Sequence, residues 1–304
     1  MERMMMRQIP MTLLLPIAAC LSAGMACADI SVRDDIGATV TLPRPAQRVI
    51  ALAPHVTELL FAAGGGERIV GVVSYSDFPE AARRIAHIGD NRQVDLERVI
   101  ALKPDLLVVW RHGSSDRQLA QLRALGIPMF HSEPHKLDDI AGSLLRLGQL
   151  MGTERTAQPA AAALRQQLAA LAAQYAGRPP VSMFYQVWHK PLYTLNGAHI
   201  VSDAMRLCGG ANVFAAMKTT APVVSTEAVL QQNPEAIFGS SEQSDPSGGI
   251  NMWQAFPSVT AVRRDNLFKL DGNLLNRAGP RMIAGAAILC EKLDIARQHR
   301  KNQP

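Results

Sequence analysis

His131 and His135 stand four residues apart with Glu133 between them. On one helical face, two imidazoles at that spacing could ligate zinc. Pro134 falls inside the same stretch and works against a helix, because its ring removes a donor and clashes with the preceding turn. The two histidines therefore read as solvated loop residues, with a metal-delivery role as the alternative. Catalysis finds no better footing. The chain has no nucleophile elbow, Walker loop, zincin helix or Cys-x-x-Cys pair. Gly64-Gly65-Gly66 lacks the later glycine of a dinucleotide fingerprint and suits a helix C-terminal turn. No acid–base or nucleophile constellation supports an exported enzyme.

Aromatic rings at the ends of apolar runs are more informative. Aromatics make up only 5% of the chain, so each well-placed one carries weight. Tyr75 and Phe78 follow the run 70–73, and Trp110 ends the run 105–110. Trp188, His189 and Tyr193 follow the run 181–187. Open α/β sheets bind ligands beyond the carboxyl ends of their strands. Rings at that level would line a cleft for a bulky, largely flat ligand. The competing reading is that some of them cap the core beneath a loop.

Two carboxylates recur in a duplicated motif. Glu97-Arg98-Val99-Ile100-Ala101-Leu102-Lys103-Pro104-Asp105-Leu106-Leu107 is echoed by Glu227-Ala228-Val229-Leu230-Gln231-Gln232-Asn233-Pro234-Glu235-Ala236-Ile237. Each copy reads as a short helix, a proline stop, an acidic residue and an apolar strand. A weaker echo links Ala63-Gly64-Gly65-Gly66 to Cys208-Gly209-Gly210-Ala211. Two similar α/β lobes would leave a cleft between them, and such clefts hold ligands.

The elements that must position these residues follow from periodicity. A lead-in hairpin is expected over 29–47. Strands are expected at 48–52, 70–73, 105–110 and 127–130, with helices at 56–64, 95–102 and 116–125. Alternation of that kind argues for a parallel sheet with both faces covered. From Leu137 to Ala176 there are helix signals only. Ile140, Leu144, Leu147 and Met151 form one apolar stripe, and Leu164, Leu168, Leu171 and Tyr175 another. Gly152 and Thr153 separate the two helices. The first is the natural connector between the lobes, and a helical connector predicts little hinge closure. Beyond Arg178-Pro179-Pro180 the pattern resumes with a strand over 181–188. Helices at 199–208 and 226–232 and strands at 235–239 and 267–270 follow. Residues 240–252 read as a mobile loop, and 281–296 as a closing helix.

The first 28 residues have the form of a signal peptide: Arg3 and Arg7, an apolar stretch from Met11 to Ala26, then Ala26-Cys27-Ala28 as a cleavage site. A lipoprotein-type box at Ile17-Ala18-Ala19-Cys20 is the alternative, and would place a lipid on Cys20. An uncleaved span is disfavoured by Pro16 and the shortness of the run. Cleavage after Ala28 leaves Cys208 and Cys290, and two cysteines in an exported chain suggest one disulfide. Two separate buried thiols are the alternative. The net charge of +5 is not gathered into a basic stripe, so nucleic acid is not an expected partner.

Several of these segments resemble the periplasmic cobalamin-binding proteins of bacterial ABC importers. They are the run from Arg48 to Leu59, Ser74-Tyr75-Ser76-Asp77-Phe78-Pro79, the run from Leu96-Glu97-Arg98 to Trp110-Arg111, Cys208-Gly209-Gly210, and Arg277-Ala278-Gly279-Pro280-Arg281 with Cys290. The likeness covers about 48–294. The Ser-Tyr-Ser-Asp-aromatic-Pro run is its most specific part. The Thr57-Glu58 and Leu-x-Pro-Asp-Leu runs are shared with haem- and siderophore-binding relatives. The resemblance implies two Rossmann-like lobes joined by a long α-helix, with an N-terminal lobe at 48–135, a connecting helix at 136–152 and a C-terminal lobe at 153–304. It implies a soluble periplasmic monomer that has neither catalysis nor a cofactor and holds cobalamin between its lobes. With the strand-end rings, it gives Pro54, His55, Tyr75, Trp110, Trp188, Tyr193, Asn273, Leu274, Leu275, Asn276 and Arg277 as ligand contacts. It also implies a Cys208–Cys290 disulfide, and a permease dimer docking on Glu97 and Glu227. The chain departs from the family at Ala221, where a cleft tryptophan is expected, and at Asn273 to Asn276, where acidic and aromatic contacts are expected. Trp188 is an added aromatic nearby. These departures keep haem and ferric siderophores open as ligands. His55 is read as solvent-facing at the cleft mouth, with axial ligation of a metal as the alternative.

Overall fold

A computed structural model describes residues 29–90, 93–240 and 249–302. The expected signal peptide and the alternative lipid site at Cys20 lie outside the described residues. The described chain opens with the expected hairpin of β1 (Ile30–Arg33) and β2 (Thr39–Leu42), paired antiparallel. Asp34 organises its turn by accepting the backbone N–H groups of Ile36 and Ala38.

A first α/β lobe follows: β3 (Val49–Ala51), α1 (Pro54–Ala62), β4 (Ile69–Val72), α2 (Leu96–Ala101), β5 (Leu106–Val109), α3 (Asp116–Ala124) and β6 (Met129–His131). Its strands are all parallel, in the order β4-β3-β5-β6. Two helices come next, α4 (Leu137–Met151) and α5 (Glu154–Tyr175), packed on each other. They part at Gly152, whose left-handed φ of 62° ends α4 where the sequence places the break.

The second lobe holds β7 (Val181–Gln186), an antiparallel ribbon of β8 (Trp188–His189) and β9 (Leu192–Tyr193), α6 (Ile200–Leu207), β10 (Gly210–Asn212), α7 (Thr226–Gln232), β11 (Ala236–Ser240), α8 (Thr260–Arg263), β12 (Leu267–Leu270), α9 (Gly272–Leu275) and α10 (Met282–Asn302). Its four-stranded sheet is again parallel, in the order β10-β7-β11-β12. Taken in chain order within each lobe, both sheets run second-first-third-fourth. Among the described residues no helix is long and apolar enough to cross a membrane.

The duplicated motif has one physical explanation in both lobes. Asp95 caps α2 and Ser225 caps α7, each accepting the N–H three residues on. Lys103 and Asn233 then take left-handed φ values of 46° and 44° just before the proline. The acidic residue after the proline ties down the start of the neighbouring first strand. Asp105 accepts the N–H groups of Gln47 and Arg48 before β3, and Glu235 accepts that of Ser182 in β7.

Strand alternation divides the core. Val49, Ala51, Leu106 and Val108 face a central core that also takes in α4, α5, α10 and the inner face of the second sheet. Ile50, Leu52, Leu107 and Val109 face α2 and α3 on the outside. Phe184, Ile237 and Trp253 fill the corresponding outer layer of the second lobe. Cys208, at the end of α6, is disulfide-bonded to Cys290 in α10.

Three local expectations need correction. Trp188 is not part of β7, which ends at Gln186; it begins the ribbon. Strand β10 was not expected, because Gly-Ala-Asn carries no strand propensity; pairing with Val181–Met183 imposes it. Of the expected mobile loop 240–252, residues 241–248 lie outside the described ones. Gly249–Ala255 is a 3-10 helix, with Trp253 fully buried and its indole N–H donated to Gln186 Oε1 at 2.6 Å.

Candidate functional site

The carboxyl ends of both sheets meet across a cleft. His55 follows β3 and Trp110 follows β5, two adjacent strands on either side of the point where the first sheet reverses its winding. From the second lobe come His199 ahead of α6, Thr220, and Leu275 and Asn276 after β12. Together these residues line a cavity of about 40 Å³ between the lobes, with Glu133 and His135 completing one wall.

His55 is only 4% exposed. Its ring lies edge-on to Trp110, 5.5 Å between centroids at 88°, and Nε2 is 3.4 Å from Ser132 Oγ. Burial lowers its pKa to about 4, so the imidazole is neutral at neutral pH. The expected solvent-facing histidine at the mouth is thus a buried one behind Trp110. Trp110 is fixed on its other side by Glu133, whose Oε1 accepts the indole N–H at 3.1 Å. The same oxygen lies 2.8 Å from His112 Nδ1, while Oε2 accepts the His112 backbone N–H.

His131 is not solvated either. It is 6% exposed and its Nδ1 lies 2.7 Å from Asp34 Oδ2, which staples the lead-in hairpin to β6. His135 is exposed, as expected for a loop residue. Among the described residues no three His, Cys, Asp or Glu side chains converge as a metal site.

The rim of the cleft is held by ion pairs between the lobes. Glu58 in α1 is 3% exposed and accepts from Arg281 at 3.0 and 2.5 Å and from Arg277 at 3.3 Å. Arg277 also reaches Asp77 Oδ1 at 2.6 Å. Partial burial opposes ionisation of Asp77, yet the Arg277 guanidinium outweighs it and holds the carboxyl below its usual pKa. The Arg281 guanidinium stacks on Phe78 at 3.9 Å. These contacts, with Thr57 Oγ1 donating to Ser76 Oγ at 3.0 Å, anchor the loop that carries Tyr75. Tyr75 itself is 78% exposed and takes a left-handed φ of 66°.

Of the other expected contact residues, Leu275 and Asn276 line the cavity, whereas Pro54, Tyr75, Trp188, Tyr193, Asn273, Leu274 and Arg277 are not part of its lining. Pro54 opens α1 directly before His55 and is half-buried. Trp188 is 41% exposed, its indole N–H held by the Lys190 carbonyl at 2.9 Å, and pairs across the ribbon with half-buried Tyr193. Asn273 is exposed, Leu274 half-buried and Leu275 buried. Asn276 accepts the Tyr185 hydroxyl at 2.8 Å through Oδ1. Arg277, expected to face ligand, is engaged with Glu58 and Asp77. Glu97 and Glu227 are away from the cavity lining. Both are exposed at the second position of equivalent helices, α2 and α7, and neither has an ion pair among the described residues. Sequence reasoning gave no structural role to Glu58, and it missed His199 and Thr220. It met Glu133 only as part of a metal pattern.

Paired lobes with one strand order, facing each other across a ring-lined cleft, are the architecture of a solute-binding protein. Residues 49–274 match the periplasmic binding protein family, and the chain belongs to it. It is 38% identical over 257 residues to the vitamin B12-binding protein of Vibrio cholerae serotype O1, covering 84% of this chain and 92% of that protein. It is 39% identical over 257 residues to the vitamin B12-binding protein of Yersinia pestis, with 84% and 89% covered. The crystal structure of the periplasmic vitamin B12 binding protein BtuF of Vibrio cholerae matches with a TM-score of 0.78 at 37% identity, covering 83% of this chain and 98% of that one. The fold is also that of the periplasmic heme-binding protein RhuT from Roseiflexus sp. RS-1, at 24% identity and a TM-score of 0.71, covering 83% and 99%.

Proposed function

We propose that this protein captures a cobalamin-type corrinoid between its lobes in the periplasm and delivers it to the transmembrane permease dimer of an ABC importer. The observation that carries this reading is the ring-lined cleft of a chain 38% identical to a vitamin B12-binding protein along most of its length. Exposed Tyr75 and Trp188 supply flat apolar faces at the rim, and Trp110, propped by His55 and Glu133, supplies a rigid one deeper in. In this reading the protein is a monomer and performs no chemical step. The lobes are 48–135 and 153–304, 136–152 links them, and Glu97 and Glu227 meet the permease.

Calorimetric titration of the mature protein tests the reading. One cobalamin or cobinamide should bind per chain. Replacing Tyr75 and Trp110 together by Ala should weaken binding by more than ~1 kcal/mol, as loss of aromatic anchors does. Saturable binding of haemin or a ferric siderophore, with none of cobalamin, would transfer the chain to the other ligand class.

A further inference from the structure

The small cavity on the cleft floor has a hydrogen-bonding pattern of its own. Its one acidic wall is Glu133, from the first lobe. That carboxylate already orients Trp110 and His112 and has no Lys or Arg partner among the described residues. It presents the cavity with negative charge and remaining acceptor capacity. The opposite wall belongs to the second lobe and sets donors among apolar Ile200, Leu275 and Ala278. His199 Nδ1 accepts the Val201 N–H at 3.2 Å, so its neutral ring carries the proton on Nε2. Burial keeps that ring neutral, with a pKa lowered to about 4. Asn276 uses Oδ1 to accept from Tyr185, which leaves its amide N–H groups to donate. Thr220 adds a hydroxyl, and Leu275 and Trp110 close the apolar sides.

An acceptor on one lobe faces donors on the other, in a space of about 40 Å³. One water needs roughly 10–15 Å³ by the same measure, so a group of two or three heavy atoms has room. We propose that this cavity is a subsite for a neutral primary carboxamide, its NH₂ donated to Glu133 and its carbonyl oxygen accepting from His199 and Asn276. A carboxylate of the same size offers Glu133 no donor and sets like charges together between the lobes. Arg277, which could have attracted an anion to this loop, is already neutralised by Glu58 and Asp77. The subsite therefore selects ligands with amidated arms over those with acid arms. Corrinoids carry acetamide and propionamide side chains, whereas haem carries propionates. This inference rests on the corrinoid reading above, and places one amide arm of that ligand.

The test is a comparison of cyanocobalamin with its separated monocarboxylic acids, each made by hydrolysing one propionamide, titrated calorimetrically against the mature protein near pH 8. At least one isomer should bind about tenfold or more weakly than the parent, while the others stay within about threefold. Glu133→Gln, which keeps an acceptor for the Trp110 indole, should shrink the ratio for the penalised isomer to within about threefold. His199→Asn retains a helix-capping oxygen and removes the ring donor. It should weaken the parent cobalamin by about tenfold while its thermal melt stays that of a folded protein. Equal affinity for every isomer, or a penalty unchanged in Glu133→Gln, overturns the subsite while leaving the corrinoid reading intact. Failure of cyanocobalamin itself to bind overturns the corrinoid reading and the subsite with it.

Discussion

The two lobes share a strand order but build their cleft-facing ends differently. In the first, β3 passes into α1 through Leu52 and Ala53 alone, so His55 lies directly behind the cleft. In the second, residues 187–199 intervene between β7 and α6 and form the ribbon bearing Trp188 and Tyr193. Trp110 is gripped by His55 and Glu133, whereas Trp188 rests on the Lys190 carbonyl and the ring of His189. Stabilisation differs as well. The first lobe is tied by the lead-in hairpin, through Asp34 to His131 and through Asp35 to Arg146 and the Glu133 N–H. The second has the Cys208–Cys290 link, with a sequence separation of 82, a constraint of about 4 kcal/mol in the chain-entropy view. What the copies keep in common is the frame: strand order, capped short helices and the acid that anchors the first strand. What they do not share lies in the connections at the cleft.

The strongest test of this asymmetry is at Glu58. The carboxylate is buried and binds two arginines of the other lobe, so Glu58→Ala removes the ion-pair partner of Arg281 and leaves Arg277 with Asp77 alone. Loss of one partner from such a pair costs about 3–5 kcal/mol, and the partial exposure of Arg277 and Arg281 favours the lower end. The acid on the matching helix of the second lobe is Asp203, which accepts the Leu137 N–H and pairs with exposed Arg206. Asp203→Asn should lose only about 1 kcal/mol. Urea unfolding of both variants measures the difference, and equal losses would erase the distinction between the lobes.

A slightly smaller effect belongs to His55. Its folded pKa of about 4 lies below the ordinary 6.5, so between those values the unfolded chain binds the extra proton. Stability therefore rises with pH across this window and is lost as pH falls from 6.5 towards 4. A shift of that size corresponds to about 3 kcal/mol at full development. Carboxylates titrate in the same range, so the quantity to measure is the difference in pH dependence between the native protein and His55→Asn. His199 shifts the same way but is only half-buried, and should contribute less. Parallel stability curves for the two proteins would mean that the ring is hydrated in the fold.

These examples also mark where sequence reading succeeds and stops. The continuous apolar run at 105–110 was legible because a parallel strand covered on both faces is apolar throughout, and the α4 stripe from Ile140 to Met151 because helical spacing determines which face is buried. The duplicated acids were legible because the same backbone need recurs in each lobe. Strand β10 was not, since its Gly-Ala-Asn sequence is extended only through pairing with β7. The Glu58–Arg281 pair spans 223 residues, and no local period reports a contact of that range. His55 was misjudged for the same reason: the residues that cover it, Trp110 and Ser132, lie just beyond the ends of two other strands. Glu133 suggested metal because its neighbours in sequence are histidines, while its actual partners are the Trp110 indole and His112, which follow β5.

The smallest change to the isolated protein is expected at Glu97 and Glu227, and it bears on what the copies share. Each carboxylate sits in the first turn of its helix, where the dipole favours negative charge. Glu227 also bonds its own backbone and Ser225, which lowers its pKa. Reversal to Lys at either site should thus leave the thermal melt of the isolated protein close to that of the parent. It should leave ligand affinity unchanged, since neither residue lines the cavity. Yet the two acids occupy matching corners of matching lobes, an arrangement that fits a two-fold permease with one arginine cluster per subunit. Transport reconstituted in proteoliposomes should therefore fall in each single variant and vanish in the double. If the two single reversals weaken docking equally, the duplicated frame is what the permease reads. If only one matters, the pseudo-symmetry serves folding alone, and partner recognition belongs with the features that the lobes do not share.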